Sequence, residues 1–362
     1  MPFADFIGNS RVAESLRRML VEDRLPQTLL FAGPRGVGKA TLARYLTAAA
    51  NCHIQGPRDF CGSCSSCHRI LAADLSLPEN VEMLAEREKM PANKRADAPL
   101  IVSTHPDFLT FPPDGPMRMI GIEQARQLRN AAQYNPSEGR RRVFLIDGAD
   151  RANDDAANSL LKTLEEPGPQ LTIILTAENP YELLPTIRSR SVPFYFSPLT
   201  VDEMRRFFDR RSELSEKDRQ RLASWAQGSP GRALQIDPDE YVERRAAMLA
   251  MLETSLNAAS FGKALAGTET VGRRAKDKLE LLAEILYALL SDVVRLRHGV
   301  GELVNEDIRA DLETLAGKAE FDWIVEAAAG LDELELYRRR NVQKQIALEA
   351  WTVKLRRAAR AG

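Results

Sequence analysis

Cysteine is missing from almost the whole of this 362-residue chain: all four cysteines fall between positions 52 and 67. A disulfide scaffold spread over the fold is therefore excluded. Net charge is also missing, at a formal −1, so bulk electrostatics do not make the chain a polyanion binder. No run of about 18 apolar residues occurs, which argues against a membrane-spanning helix. The start, Met1-Pro2-Phe3-Ala4-Asp5-Phe6, has no basic stretch leading into an apolar one. A cytoplasmic protein is the expectation, and that compartment favours metal over disulfide for a tight cysteine cluster. Internal repeats and low-complexity segments are lacking too. What remains is an ordinary globular composition, long enough for two or three domains.

The first half of the chain alternates between short apolar runs and helical periodicity. Thr28–Ala32, Phe108–Phe111, Val143–Ile146 and Leu171–Thr176 are predicted strands. Helices are predicted within 1–25, after Lys39, near Arg69–Asp74, over 121–134 and over Ala156–Glu166. That alternation predicts an α/β domain with a doubly wound parallel sheet. Residues 75–100 carry Pro78, Pro91 and Pro99 and are expected to be an irregular insertion. Beyond Pro198 the pattern is helical. The expected domains are an α/β domain over 1–198, a small helical lid over 199–240 and an all-helical domain over 241–362.

After the first predicted strand comes Gly33-Pro34-Arg35-Gly36-Val37-Gly38-Lys39-Ala40, the spacing of a phosphate-binding loop. Such a loop aims backbone N–H groups and a helix dipole at phosphates, and Lys39 adds a positive charge. Gly33, Gly36, Gly38 and Lys39 are thus candidate nucleotide-binding residues. A glycine turn that merely packs is the alternative, but strand, loop and helix are all in place. The residue after the lysine is usually Ser or Thr, whose hydroxyl holds Mg²⁺; here it is Ala40. Thr41 lies about 100° further round the helix and is no substitute. Asp147, at the end of the Val143–Ile146 run, fits a metal-binding acid, but Gly148 stands where a water-orienting Glu is expected. Binding of ATP and Mg²⁺ stays open, and hydrolysis is expected to be weak or absent.

Cys52-x8-Cys61-x2-Cys64-x2-Cys67 can place four thiolates around one tetrahedral Zn²⁺. Redox chemistry is the alternative reading, but four ligands leave no open position on the metal. A structural zinc module over 52–67 is expected.

These motifs come in a telling order with Phe3-x2-Phe6-Ile7-Gly8, Leu160-Leu161-Lys162-Thr163-Leu164-Glu165-Glu166-Pro167 and Ser189-Arg190-Ser191. The chain resembles bacterial clamp-loader subunits of the AAA+ class, part of the DNA polymerase III holoenzyme. The specific motifs cover about residues 3–235. A looser match, Arg340-Asn341-Val342-x3-Ile346-Ala347-Leu348-Glu349, is similar to the end of the family's collar domain. Lys39-Ala40, Asp147-Gly148, His105-Pro106-Asp107 and Gly228-Ser229-Pro230-Gly231 resemble the delta-prime branch rather than the tau/gamma motor branch, which normally keeps Lys-Thr and Asp-Glu.

The resemblance implies a non-motor stator in a hetero-oligomeric ring of five. Its partners would be the tau/gamma and delta subunits and, through the complex, a sliding clamp and primed DNA. Arg190 matches an arginine finger supplied in trans, although the family's third residue is Cys and here is Ser191. Thr176 matches a polar sensor. Arg232 falls one residue late for the second sensor, and a surface role suits it better. Glu165 and Glu166 read as interface or solvated residues. Arg140-Arg141-Arg142 could meet a DNA phosphate or a partner, though such a run is more often solvated. Two competing readings are a tau/gamma-type ATPase motor and a zinc-bearing nucleic-acid-binding module with a vestigial phosphate loop.

Overall fold

The computed structural model describes residues 2–211, 214–256, 279–339 and 343–361. Arg340, Asn341 and Val342 of the collar motif lie outside the described residues. Contacts divide the chain into two compact units. The first is Met1–Ser212 with Gly228–Arg232, and the second is Glu213–Gln227 with Ala233–Gly362. Residues 199–240, expected as a lid, contribute to both. No described helix is long and apolar enough to cross a membrane.

The first unit runs α1 (Ser10–Val21), β1 (Thr28–Ala32), α2 (Lys39–Asn51), α3 (Ser65–Ala72), α4 (Pro78–Lys89), α5 (Ala92–Asp97), β2 (Val102–His105), β3 (Phe108–Phe111), α6 (Ile122–Ala131), β4 (Arg142–Ile146), α7 (Asp154–Glu165), β5 (Leu171–Ala177), α8 (Pro185–Arg188), β6 (Val192–Tyr195) and α9 (Val201–Asp209). The sheet order is β2-β3-β4-β5-β1-β6. All neighbours pair in parallel except β2 with β3. Alternate strand residues serve opposite faces. Leu29, Phe31, Val143 and Leu145 pack with Leu16, Leu42, Leu46 and Ile70 from α1, α2 and α3. Leu30, Phe144, Ile146 and Leu175 pack with Leu128, Leu160 and Ile187 from α6, α7 and α8. With helices on both faces, the doubly wound α/β expectation holds. The central strands β1 and β5 are buried at every residue, which is why they read as unbroken apolar runs.

Residues 75–100 correct the sequence expectation: they are not irregular but form α4 and α5. Pro78 opens α4 at its first turn, where proline is favoured, Glu79 sits at its positive end, and Arg87 and Lys89 sit at its negative end. Neither helix buries a residue, so no apolar stripe betrays them. Salt bridges help fasten α4, Arg87 to Asp114 at 2.5 Å and Arg118 to Glu88 at 3.1 Å, beside the partly buried Met83 and Leu84, while Arg95 of α5 donates to the Met90 carbonyl. Strands β2 and β6 were also not anticipated. Both are four-residue edge strands, and β6 carries Pro193, a residue normally counted against a strand.

The second unit is helical at every described element, as expected. It holds α10 (Glu216–Trp225), α12 (Pro238–Leu256) and helices at Leu279–His298, Arg309–Lys318, Phe321–Arg339 and Lys344–Ala361; α11 is the Pro230–Ala233 turn. Asp292 and Arg245 are buried in this unit and paired. The Asp292 carboxylate accepts from the backbone N–H groups of Val304 and Asn305, both at 2.8 Å. Arg245 forks onto Asp307 with two 2.7 Å bonds and lies over the Trp225 ring.

Candidate functional site

Parallel strands that share one polarity gather their carboxyl ends at one edge of the sheet. There β1 runs into the glycine loop. Gly33 has φ +146°, and a Cβ would stand 2.3 Å from the Phe196 carbonyl oxygen, so no other residue fits. Lys39 opens α2 and is only 8% exposed. Its ammonium donates to the carbonyls of Gly33 and, at 2.7 Å, Pro34. Burial lowers its pKa, and the nearby carboxylates of Glu178, Asp147 and Asp150 oppose that effect. The loop is braced from the 228–232 turn. The Ser229 hydroxyl donates to the Arg35 carbonyl, and the Gly231 N–H donates to the Gly36 carbonyl, each at 2.8 Å. Arg232 follows on this turn, its N–H donating to the Ser229 hydroxyl at 3.3 Å.

Asp147 and Thr176 meet at the same edge. The Thr176 hydroxyl donates to Asp147 Oδ1 at 2.6 Å and accepts from the Gly148 N–H at 2.8 Å. The groups that would complete a hydrolytic site are absent or used elsewhere. Ala40 has no hydroxyl, and the Thr41 hydroxyl accepts from Arg44. Asp150 accepts from the N–H groups of Glu178 and Asn179, so it closes the turn after β5. Gly148 is the decisive position. It sits at φ +75°, and a Cβ there would come 3.3 Å from the Pro113 ring. A Glu at 148 would have to adopt a left-handed backbone, at a cost of roughly 1–2 kcal/mol. The double variant Ala40→Thr/Gly148→Glu should therefore melt lower than wild type and gain no ATP turnover. Recovered hydrolysis at undiminished Tm would show that this strand end can rebuild the site.

Glu178 was not singled out from the sequence. Its charge is the first of those opposing the burial of Lys39, and it pairs with Arg151 at 3.4 Å. The available signal was its place, one residue past the end of an apolar strand.

Arg190 lies at the other edge of the sheet. It precedes β6, whose first residue, Val192, pairs with Leu29 near the start of β1, whereas the loop follows the end of β1. The four residues of β6 alone span about 10 Å. Arg190 is thus separated from the loop of its own chain. Its Nη2 bonds Glu165 at 2.7 Å, and its Nη1 donates to the Thr186 carbonyl at 3.0 Å. Ser191 is buried and donates to the Ile187 carbonyl at 2.8 Å, which fixes the backbone beside the arginine.

The four cysteines come together. Cys52 caps the C-terminus of α2, Cys64 caps the N-terminus of α3, and Cys67 lies in the first turn of α3. All four thiols are free, and their sulfurs lie within 4.8 Å of one another. A tetrahedral ion with bonds of ~2.3 Å would set them about 3.8 Å apart; Cys61 and Cys67 are at 4.0 Å. Backbone N–H groups point at the sulfurs, from Gln55 to Cys52 and from Cys64 to Cys61 at 3.2 Å each. Bonds from the Ser63 side chain and then from backbone N–H groups lower Cys61 to about 6, while burial pushes Cys67 up. Donors of this kind favour thiolate, the form a metal needs, so the four residues can hold a metal ion.

The cluster is built into its surroundings. Ser66, between Cys64 and Cys67, bonds the Nε2 of buried His105 at 3.1 Å, while the His105 Nδ1 accepts from the Asp107 N–H at 3.1 Å. Burial lowers His105, so it stays a neutral link. The Asp107 carboxylate accepts from the N–H groups of Ser137, Glu138 and Gly139. Burial alone would raise its pKa, but these donors outweigh burial and lower it. Asn51, next to Cys52, then accepts from the N–H groups of Arg140 and Arg141. The basic run is largely spent on the fold: Arg141 pairs with Asp23 at 2.8 Å, Arg142 lies over Phe144 and 3.7 Å from Asp107, and Arg140 is exposed.

Comparison with known proteins gives a consistent set. The model of a family described as DNA polymerase III, delta subunit, matches residues 8–200, and one described as DNA polymerase III, delta subunit, C terminal, matches residues 241–357. The DNA polymerase III subunit gamma/tau of Mycobacterium tuberculosis is 32% identical over 212 residues, 58% of this chain and 31% of the relative. The DNA polymerase III subunit delta-prime of Pseudomonas aeruginosa is 32% identical over 163 residues, 45% of this chain and 40% of the relative. A solved gamma-subunit-related protein from Thermotoga maritima shares 17% identity at a TM-score of 0.46, covering 96% of this chain and 99% of that one. The matches thus span about a third of the gamma/tau relative and two fifths of the delta-prime relative.

Proposed function

The chain belongs to the DNA polymerase III delta-subunit family, within the clamp-loader group that includes delta-prime and tau/gamma, and from that premise we propose that it is a delta-prime-type, non-motor subunit of the loader. Its partners are tau/gamma and delta subunits in a cytoplasmic hetero-oligomer, which places a sliding clamp on primed DNA. The observation that carries this reading is the strand end at Gly148: a left-handed glycine, at which an added Cβ would crowd Pro113 at 3.3 Å, stands where a motor needs a water-orienting carboxylate. Ala40, without a hydroxyl for Mg²⁺, supports the same conclusion.

In this reading the chain acts across its boundary. Arg190, at the edge remote from its own loop, donates its guanidinium to the ATP site of a neighbouring motor subunit and stabilises charge on the transferring phosphoryl group. Thr176 and Asp147, bonded to each other, are retained strand ends rather than a working sensor and metal acid. Cys52, Cys61, Cys64 and Cys67 hold Zn²⁺, which supplies a structural crosslink and no open coordination position. The helices over 241–362 form the collar that holds the ring together. The primary test is ATP hydrolysis by a reconstituted loader carrying Arg190→Ala.

A motor-subunit reading draws on the complete loop and on the buried Lys39. The two readings part at that lysine. For a stator, Lys39→Ala should leave clamp loading within about twofold of wild type, since a lost uniform contact carries no catalytic penalty. Abolished loading in an intact complex would make the nucleotide site functional and favour the motor. A nucleic-acid-binding module would instead show tight DNA binding by the isolated chain with a steep salt dependence.

A further inference from the structure

We propose that Glu165 is the positioning residue for Arg190: its carboxylate holds one end of the guanidinium so that the side chain leaves its own surface already aimed at the neighbouring subunit. The inference deepens the trans-acting reading above and rests on it.

Both partners are fixed at the base. Glu165 is the last residue of α7, and Pro167 two places on prevents the helix from continuing. Arg190 follows the short α8, where its N–H and the Ser191 hydroxyl both bond the Ile187 carbonyl, at 3.2 and 2.8 Å. The tip of Arg190 is fixed as well. Nη2 meets Glu165 Oε1 at 2.7 Å, while Nη1 donates to the Thr186 carbonyl at 3.0 Å and to the Ser189 hydroxyl at 3.4 Å.

A guanidinium has five N–H donors. One bond at Nη2 and two at Nη1 orient the plane and still leave two of the five donors for phosphate oxygens. The side chains of Arg190 and Glu165 are 35% and 48% exposed, so the pair adds little to fold stability. Its effect is on direction. A long arginine loses much rotamer freedom on reaching a partner, and a residue that restricts it beforehand reduces that loss at the transition state. Glu166 takes no part in the pair and forms the cap after α7.

The test uses a reconstituted loader with wild-type chain, Glu165→Ala, Glu165→Gln, Arg190→Ala and Glu165→Ala/Arg190→Ala. Glu165→Ala should lower kcat for ATP at the facing site by about threefold to tenfold, with KM unchanged, as expected for a contact that acts only on orientation. Glu165→Gln keeps an acceptor oxygen and should recover part of the loss. The double variant should be no slower than Arg190→Ala alone. An unchanged or raised kcat in Glu165→Ala, or a further drop in the Arg190→Ala background, would overturn the proposal. Arg190→Ala running at the wild-type rate would overturn the finger reading itself, in an arm that does not involve Glu165.

Discussion

Arg190→Ala should reduce ATP hydrolysis at the motor site it faces by about three orders of magnitude, the lower end of what a finger supplied in trans contributes. Nothing comparable should happen to the fold. The side chain is partly exposed, and its pairing with Glu165 is a surface contact, so truncation should change stability by less than about 0.5 kcal/mol. Subunit assembly, read by gel filtration, should be intact. In the proposed loader any further motor site would keep turning over and dilute the effect in steady state, and a single-turnover measurement resolves it. Arg190→Lys should not rescue, because a point charge does not reproduce the planar fork. A wild-type rate in an intact complex would remove the trans-acting role.

The half of the candidate site that depends on residue identity was legible in the sequence. Lys39, Asp147 and the four cysteines were legible because loop spacing and ligand spacing are local, and the missing hydroxyl at Ala40 is visible as a letter. The half that depends on backbone geometry was hidden. Gly148 reads as a lost carboxylate, yet the structure shows that its φ of +75° and Pro113 also resist putting one back. Glu165 and Arg190 are 25 positions apart, and no local pattern announces their pairing. The buried link from Ser66 through His105 and Asp107 to residues 137–139 likewise joins three separate segments. In the fold, the buried parallel strands were plain from their apolar runs. The α4–α5 insertion and the edge strands β2 and β6 were not, because helices that bury no residue and strands paired on one side carry little apolar periodicity.

Removal of the proposed metal should be the second large effect. A ligand that binds only the folded state stabilises it by RT ln(1 + [L]/Kd), about 4 kcal/mol at a thousandfold excess over Kd. For a unit of this size that corresponds to a fall in Tm of roughly 10 °C when metal is stripped, at about 2–4 °C per kcal/mol. Cys64→Ser, which removes one proposed ligand but keeps a side chain able to cap α3, should act in the same direction through the metal alone. The loss should also have an address. Ser66 lies inside the cluster and reaches residues 137–139 through His105 and Asp107, while Asn51 beside the cluster holds Arg140 and Arg141 directly. Hydrogen exchange should therefore quicken over 52–72 and over 137–141 together, while the helices of the second unit keep their protection. Exchange that quickens in 52–72 alone would mean the hydrogen-bonded link does not carry the coupling. An unchanged Tm after metal analysis confirms complete removal would mean the four thiols hold no structural ion, and that their convergence reflects packing alone.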